Sequence, residues 1–243
     1  MKAVCEKYGA LLIIDEIMCG MGRCGTLHAW EQENVVPDIQ AIGKGLGGGY
    51  TPVSGILVDD SIVQTMDKGT GVFRHGQTYQ GHPISCAAAL AVQKTIKQEK
   101  LLDNVREMGA YLETQLRQRF ESHPYVGDIR GKGLFWGVSY HILYSSSLSG
   151  LDLLLTFFKL EFVKDKATKE PFDPNDRLSF LIQEKGLQPE HSVSLYCSSG
   201  TVDGIKGDHL ILAPAYIVSK GEIDIIVDAL EKVLEEVFAT LQK

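Results

Sequence analysis

Two short apolar runs that end in charged residues limit the fold more than any other feature of this sequence. Residues 11–14 are apolar and β-prone and are followed at once by two acids, the first of which is Asp15. Residues 39–42 lead to Lys44, and four of the next five residues are glycine. Apolar runs of this kind are typical of strands buried on both faces of a parallel sheet. Because ligands of open α/β sheets bind beyond the carboxyl ends of strands, a carboxylate and an amine are expected around one crevice.

Charge and composition exclude several classes of function. The formal net charge of −7 over 243 residues is the opposite of the clustered basic face that nucleic-acid binding requires. No apolar run reaches the roughly 18 residues of a membrane-spanning helix. The five cysteines are odd in number and form no CxxC pair, which is typical of a reduced, intracellular chain. We therefore predict a cytoplasmic protein with no nucleic-acid partner, no membrane partner and no metal site.

A GxGxxG pattern follows the first predicted strand at Gly20, Gly22 and Gly25. This pattern is the fingerprint of dinucleotide binding, but two carboxylates at the strand end would repel a pyrophosphate, and no long apolar-periodic helix follows. A glycine-rich turn that clears space beside a ligand is the favoured alternative. A phosphate-cradling P-loop is excluded because Lys44 is followed by Gly45 rather than by Ser or Thr.

Periodicity and turn residues predict the remaining elements. In chain order they are a short helix ending at Gly9, a third strand over 53–58, a polar loop over 73–83, an Ala-rich helix over 84–96, an amphipathic helix over 101–120, two short strands around Gly131 and Gly133, a helix over 175–185, a strand over 209–212, and a long C-terminal helix. Ser219 and Glu222 form a capping box at the start of that last helix.

The sequence DEIMCGMGR, which begins at Asp15, and the later PDIQAIGKGLGGG together resemble the class III aminotransferases. This subgroup of the fold-type I pyridoxal-phosphate (PLP) enzymes includes ω-amino acid and amine transaminases. The resemblance covers most of the chain but only the later part of the family's sequence. It implies an α/β fold, with part of a large domain containing a mixed, mostly parallel sheet over residues 1–100. A small α+β domain would follow over residues 101–243, and the chain would be a fragment of a longer protein.

The resemblance also assigns roles to three residues. Lys44 would form a Schiff base with PLP and then shuttle a proton at the substrate carbon. Asp15 would pair, as a buried carboxylate, with the pyridine nitrogen. Thr78, in the segment QTYQGHP, would bind the cofactor phosphate of the neighbouring subunit of a homodimer. The implied reaction transfers an amino group from an amine or ω-amino donor to a keto acid such as pyruvate.

Several positions depart from the family pattern or keep two interpretations open. Met18 stands where many members have a glutamine that contacts the cofactor's ring hydroxyl, and Ile211 stands where members acting on α-amino acids have an arginine. Losing bidentate capture of a carboxylate at Ile211 favours amine or ω-amino donors. Glu16 is predicted to make a structural salt bridge. Arg130 is interpreted as structural, with a substrate contact as the alternative.

The completeness of the site and the exact reaction also stay open. The family's Gly-Ser phosphate cup and the aromatic residue that stacks on the cofactor ring lie in its earlier half, which this sequence does not match. A catalytically incomplete fragment, one that binds PLP weakly or only dimerises, is therefore the alternative function. Decarboxylation and racemisation use the same pair of lysine and aspartate.

Residues 139–160 interrupt the resemblance. Without them, Val138 would continue directly into EFVKDKATKEPFDP, which resembles the family's small domain. Codons at the two ends of the segment can contain a splice donor and a splice acceptor, so one hypothesis is a translated intron. A family-specific loop is the alternative, and sequencing of the spliced transcript distinguishes the two.

Overall fold

The computed structural model describes residues 1–137 and 160–241. The chain divides into two compact units, Met1–Val105 and Arg106–Lys243. Their boundary falls within helix α4 (Leu101–Phe120), and the domain limits inferred from the resemblance stay a prediction. The predicted insertion at 139–160 lies outside the described residues except for its last one, where a strand begins. Among the helices that the structure describes, none is long and apolar enough to cross a membrane.

The first unit contains a three-stranded mixed sheet and three helices. Its elements are α1 (Lys2–Lys7), β1 (Ile13–Asp15), β2 (Ile39–Ile42), β3 (Gly55–Val58), α2 (Asp60–Lys68) and α3 (Pro83–Gln98). Strand β1 pairs in parallel with β2, and β2 pairs antiparallel with β3. Short 3-10 helices occupy Ala29–Glu33 and Lys44–Leu46. The parallel pair therefore directs the ends of β1 and β2 toward the same edge of the sheet.

One face of this small sheet is open to solvent. Asp15, Ala41 and Ile56 are register partners across the three strands, so they lie in one row on one face. Ile13 lies on that face too and is 59% exposed, and Ile56 is 43% exposed. Leu12, which alternates to the other face, is buried. The described chain therefore leaves one face of β1 uncovered, although an apolar strand of this kind is typically buried on both faces.

The second unit contains a six-stranded sheet whose pairings are all antiparallel. Its strands are β4 (Val126–Lys132), β5 (Phe135–Gly137), β6 (Leu160–Asp165), β7 (Glu170–Pro171), β8 (Tyr196–Ser198) and β9 (Asp208–Leu212). They follow the order β7-β6-β4-β5-β9-β8, and β6 also pairs with β9. The helices are α5 (Leu178–Gly186), α6 (Lys220–Leu241) and the remainder of α4. This arrangement matches the α+β pattern expected for the later part of the chain.

Polar contacts join α4 to α6. The Tyr111 hydroxyl donates to Asp224 Oδ1 at 2.7 Å, and Arg119 pairs with Glu231 at 3.0 Å. The predicted capping box at the start of α6 is confirmed, because Ser219 N donates to Glu222 Oε2 at 2.8 Å and Glu222 N donates to Ser219 Oγ at 3.4 Å. Both helices bury an apolar stripe, as their periodicity predicts.

Candidate active site

Asp15 is the last residue of β1, and its carboxylate starts the turn that follows. Asp15 Oδ1 accepts a hydrogen bond from the backbone N of Ile17 at 2.9 Å, and the side chain is exposed. The predicted burial of this carboxylate is therefore wrong for the described chain. The physical reason is the open face of the sheet, since Ile13 two residues earlier is 59% exposed on the same side.

Glu16 is the acid that the structure buries, at 1% exposure. Its Oε2 accepts hydrogen bonds from the backbone N of Ala29 at 2.8 Å and from Gln40 Nε2 at 2.9 Å. Its Oε1 accepts one from the backbone N of Trp30 at 2.7 Å. A salt bridge was predicted for Glu16, but these donors are amides at the start of the 3-10 helix and on β2. The carboxylate thus fixes the turn after β1 to the neighbouring strand.

Gln40 completes this buried network. Its amide nitrogen also lies 2.9 Å from His28 Nδ1, and its oxygen accepts from Trp30 Nε1 at 3.0 Å. The rings of His28 and Trp30 stack with centroids 5.5 Å apart. Both polar atoms of the Gln40 side chain have partners. The network therefore holds the 3-10 helix against β2 without leaving a buried polar group of Gln40 unpaired.

Lys44 follows β2 at the same edge of the sheet as Asp15. Asp15 is the register partner of Ala41, and Lys44 comes three residues after Ala41. The Lys44 backbone has φ +39°, in the left-handed region that costs a residue with a Cβ about 1–2 kcal/mol. Its side chain is exposed. The structure therefore brings the backbones of Asp15 and Lys44 to one sheet edge, Asp15 at the end of β1 and Lys44 in the 3-10 helix just after β2.

Helix α3 lies along the glycine-rich segment that follows Lys44. The Thr51 and Ser85 hydroxyls are 2.8 Å apart near the start of the helix, and Gln93 Nε2 donates to the carbonyls of Gly45 and Leu46 further along it. Thr78 lies in the exposed turn that precedes α3. The structure thus places Thr78 in the turn five residues before α3, on neither β1 nor β2.

The thiol of Cys19, which lies beside this edge, is not activated as a nucleophile. Cys19 Sγ lies 3.9 Å from the carbonyl oxygen of Asp15. Burial first, and then the negative charge of Glu16, raise the pKa of Cys19 to about 12. The thiol therefore stays protonated near neutral pH, and Lys44 is the candidate nucleophile at this edge.

The other residues singled out in the sequence have structural surroundings. Gly22 and Gly25, at φ +100° and +97°, lie in turns with no α-helix following, in agreement with the glycine-turn interpretation of GxGxxG. Met18 is 41% exposed. Ile211 lies in β9. Arg130 Nε lies 2.6 Å from Asp128 Oδ2, which agrees with a structural role.

The parallel pairing of β1 with β2 thus brings Asp15 and Lys44 toward one edge of an α/β sheet. Comparison with known proteins identifies the family of the chain. Residues 1–151 match the family model described as aminotransferase class III, which is more than half of the chain. The chain therefore belongs to the class III aminotransferases, and the predicted α/β fold class is confirmed.

Individual relatives extend the similarity to nearly the whole chain. An aminotransferase of Gibberella zeae is 47% identical over 96% of this chain and 41% of its own length. An uncharacterized aminotransferase of Schizosaccharomyces pombe is 46% identical over 99% of this chain and 47% of its own. The crystal structure of an (S)-enantioselective omega-transaminase from Thermomicrobium roseum superposes with a TM-score of 0.79 at 34% identity, over 97% of this chain and 45% of that one. The chain thus spans a little under half the length of these relatives.

Proposed function

We propose that this chain supplies the lysine and aspartate of a PLP-dependent aminotransferase. The protein would transfer an amino group from an amine or ω-amino donor to a keto acid such as pyruvate. The observation that carries the proposal is the parallel pairing of β1 with β2, which directs Asp15 and Lys44 to one edge of the sheet. Family membership supports amino-group transfer, and similarity to an omega-transaminase supports this class of donor.

Each residue has a distinct task at the proposed site. When bound, PLP supplies the electron sink that stabilises negative charge on the substrate carbon. The ε-amine of Lys44 holds the cofactor and, once released, moves a proton to and from that carbon. The Asp15 carboxylate keeps a proton on the ring nitrogen. Glu16 and Gln40 hold the end of β1 against the turn, so that Asp15 keeps its position.

Thr78 is proposed to bind the cofactor phosphate of a second subunit in a homodimer. The support is the exposure of apolar side chains in this part of the chain, with Tyr79 in the same turn 74% exposed and Ile84 in the first turn of α3 73% exposed. Apolar side chains at such exposures favour a protein contact. A threonine hydroxyl in an exposed loop that leads into a helix is also suited to an anion. Sedimentation should show dimers that weaken in Ile84→Asp, and a monomeric wild-type chain would contradict this part of the proposal.

A second candidate is a catalytically incomplete fragment that binds PLP weakly. The observation that favours it is the open face of the sheet, where Ile13 is 59% exposed and Asp15 is exposed as well. A carboxylate in water interacts with a nearby charge several times more weakly than a buried one does.

Covalent trapping tests the role proposed for Lys44. The chain is incubated with limiting PLP, reduced with borohydride to fix any lysine that has condensed with the aldehyde, and mapped by mass spectrometry. We expect preferential modification of Lys44, lost in Lys44→Ala and kept in Lys100→Ala. Lys100 is a matched control because it is exposed and also has a left-handed backbone, at φ +52°. Equal modification of the two lysines would contradict the proposed role of Lys44.

A further inference from the structure

The backbone around Lys44 is held by a tight turn. Leu46 N donates to the carbonyl of Gly43 at 2.8 Å, and the amides of Gly47 and Gly48 donate to the carbonyl of Lys44 at 3.1 and 3.2 Å. These bonds give the carbonyls of Gly43 and Lys44 their hydrogen-bond donors. A lysine at φ +39° persists only where its surroundings determine its conformation.

The carbonyls of the next two residues, Gly45 and Leu46, both accept hydrogen bonds from the side chain of Gln93. Gln93 Nε2 donates to the carbonyl of Gly45 at 3.2 Å and to that of Leu46 at 3.1 Å. A primary amide has two N–H donors, enough for one hydrogen bond to each carbonyl. Gln93 is half-buried on α3 and comes 49 positions after Lys44 in the chain. The helix therefore contributes a long-range constraint that the glycine-rich segment cannot provide for itself.

Helix α3 also comes close to the segment beside this contact. A Cβ built on Gly48 would lie 3.1 Å from both methyl carbons of Val92, the residue before Gln93. Two consecutive residues of the helix, Val92 and Gln93, thus face the glycine-rich segment. Gly48 has φ +59°, so a side chain there would be strained as well as crowded.

We propose that Gln93 is a positioning residue for Lys44, one that holds the backbone from which the amine projects. The inference rests on the proposed function, in which Lys44 carries the amine chemistry. Gln93 touches neither cofactor nor substrate in this proposal. It acts by fixing two consecutive carbonyls, so that the strained turn is the only conformation open to the lysine. An apolar side chain of the same length would leave the carbonyls to water and the turn free to relax.

The test compares Gln93→Met with Gln98→Met. Methionine matches the length of glutamine but donates no hydrogen bond, and Gln98 is an exposed residue near the end of the same helix. Amide hydrogen exchange of Leu46, Gly47 and Gly48 is measured first. We expect exchange about tenfold faster in Gln93→Met, unchanged in Gln98→Met, and unchanged in β1 and β2 in both variants.

Covalent trapping with PLP and borohydride gives the second readout. We expect the rate of modification at Lys44 to fall about tenfold in Gln93→Met, with the rate at Lys100 unchanged. Faster exchange throughout the first unit would show a loss of stability rather than of position and would overturn the inference. So would unchanged exchange and trapping. If the wild-type chain shows no preference for Lys44, the proposed function fails, and the exchange measurement alone decides whether Gln93 holds this segment.

Discussion

Replacing Glu16 by glutamine tests whether the turn after β1 depends on a buried carboxylate. The change removes the charge and turns one acceptor oxygen into a donor NH₂ group at nearly constant volume. Three donors converge on the carboxylate, two on Oε2 from Ala29 and Gln40 and one on Oε1 from Trp30. Whichever way the new amide is oriented, its NH₂ group faces at least one N–H.

The magnitude follows from the better of the two orientations. With the amide oxygen in the place of Oε2, the bonds from Ala29 and Gln40 are kept without their charge, and the bond from Trp30 is lost. A hydrogen bond to a charged group contributes about 1.5–3 kcal/mol, and a buried unpaired donor costs about 1–3 kcal/mol. We expect Glu16→Gln to lower the free energy of unfolding of the first unit by about 3 kcal/mol.

Tryptophan fluorescence during urea unfolding measures this change. The chain has two tryptophans, Trp30 in the first unit and Trp136 in the second, so a Trp136→Phe background leaves Trp30 as the reporter. With a urea slope of about 1–3 kcal/mol per molar, a loss of about 3 kcal/mol should lower the midpoint by about 1–3 M.

Glu31→Gln is the matched control for this measurement. Glu31 is exposed and accepts one hydrogen bond, from His28 N at 2.7 Å, which the amide oxygen of glutamine can keep. We expect its free energy of unfolding to change by no more than the roughly 0.5 kcal/mol that surface changes produce. Equal shifts in the two variants would refute the reasoning, because burial and the number of donors would then not decide the cost.

Two further changes test other parts of the chain. Gly109→Ala should destabilise the second unit by about 1–3 kcal/mol in urea unfolding, because the new Cβ would lie 2.2 Å from the carbonyl oxygen of Gly133. The control is Gly221→Ala, which should be neutral or slightly stabilising because the new Cβ would have open space around it. A hydrogen bond from the backbone N of Leu12, and then one from the side chain of Lys2, hold the pKa of Asp38 below its ordinary value of 3.8. The ionised carboxylate is therefore the stabilising form, and its contribution is present above about pH 4 and lost as the pH falls through the folded pKa. Asp38→Asn should remove this part of the acid sensitivity, and Asp67→Asn should not. Acid unfolding followed by circular dichroism measures the difference, and identical acid profiles for the two variants would contradict the assignment.

The parts of the site that the sequence predicts are those set by local pattern. An apolar run ending in Asp15 and a second ending before Lys44 predict two strands and their common edge, and the structure pairs those strands in parallel. Long amphipathic repeats predict α4 and α6 for the same reason, since burial of one face recurs every three or four residues. The start of α5 at Leu178 rather than at 175 reflects a 3-10 turn over Pro174–Asp176, which a helical pattern does not distinguish.

The contacts that the sequence does not predict join residues distant in the chain. Glu16 meets Gln40 across 24 positions, and Gln93 meets Leu46 across 47. No local periodicity encodes such pairs, because each depends on which faces the sheet and helix present to each other. Two acids in succession at a strand end do carry a signal, since alternation sends them to opposite faces. That rule predicts different surroundings for Asp15 and Glu16, and it leaves open which of the two is buried.

The open face explains why Asp15 and Glu16 have opposite surroundings in the described chain. Glu16 faces the side that the 3-10 helix covers, and its donors exclude water. Asp15 faces the side on which Ile13 and Ile56 are exposed. Two unit charges 4 Å apart interact by about 1 kcal/mol in water and about 4 kcal/mol at the effective dielectric of a protein surface. Covering that face would therefore strengthen the contact of Asp15 with a protonated ring severalfold without moving the carboxylate. In the proposed enzyme, burial of Ile13 and tight binding of the cofactor should consequently increase together.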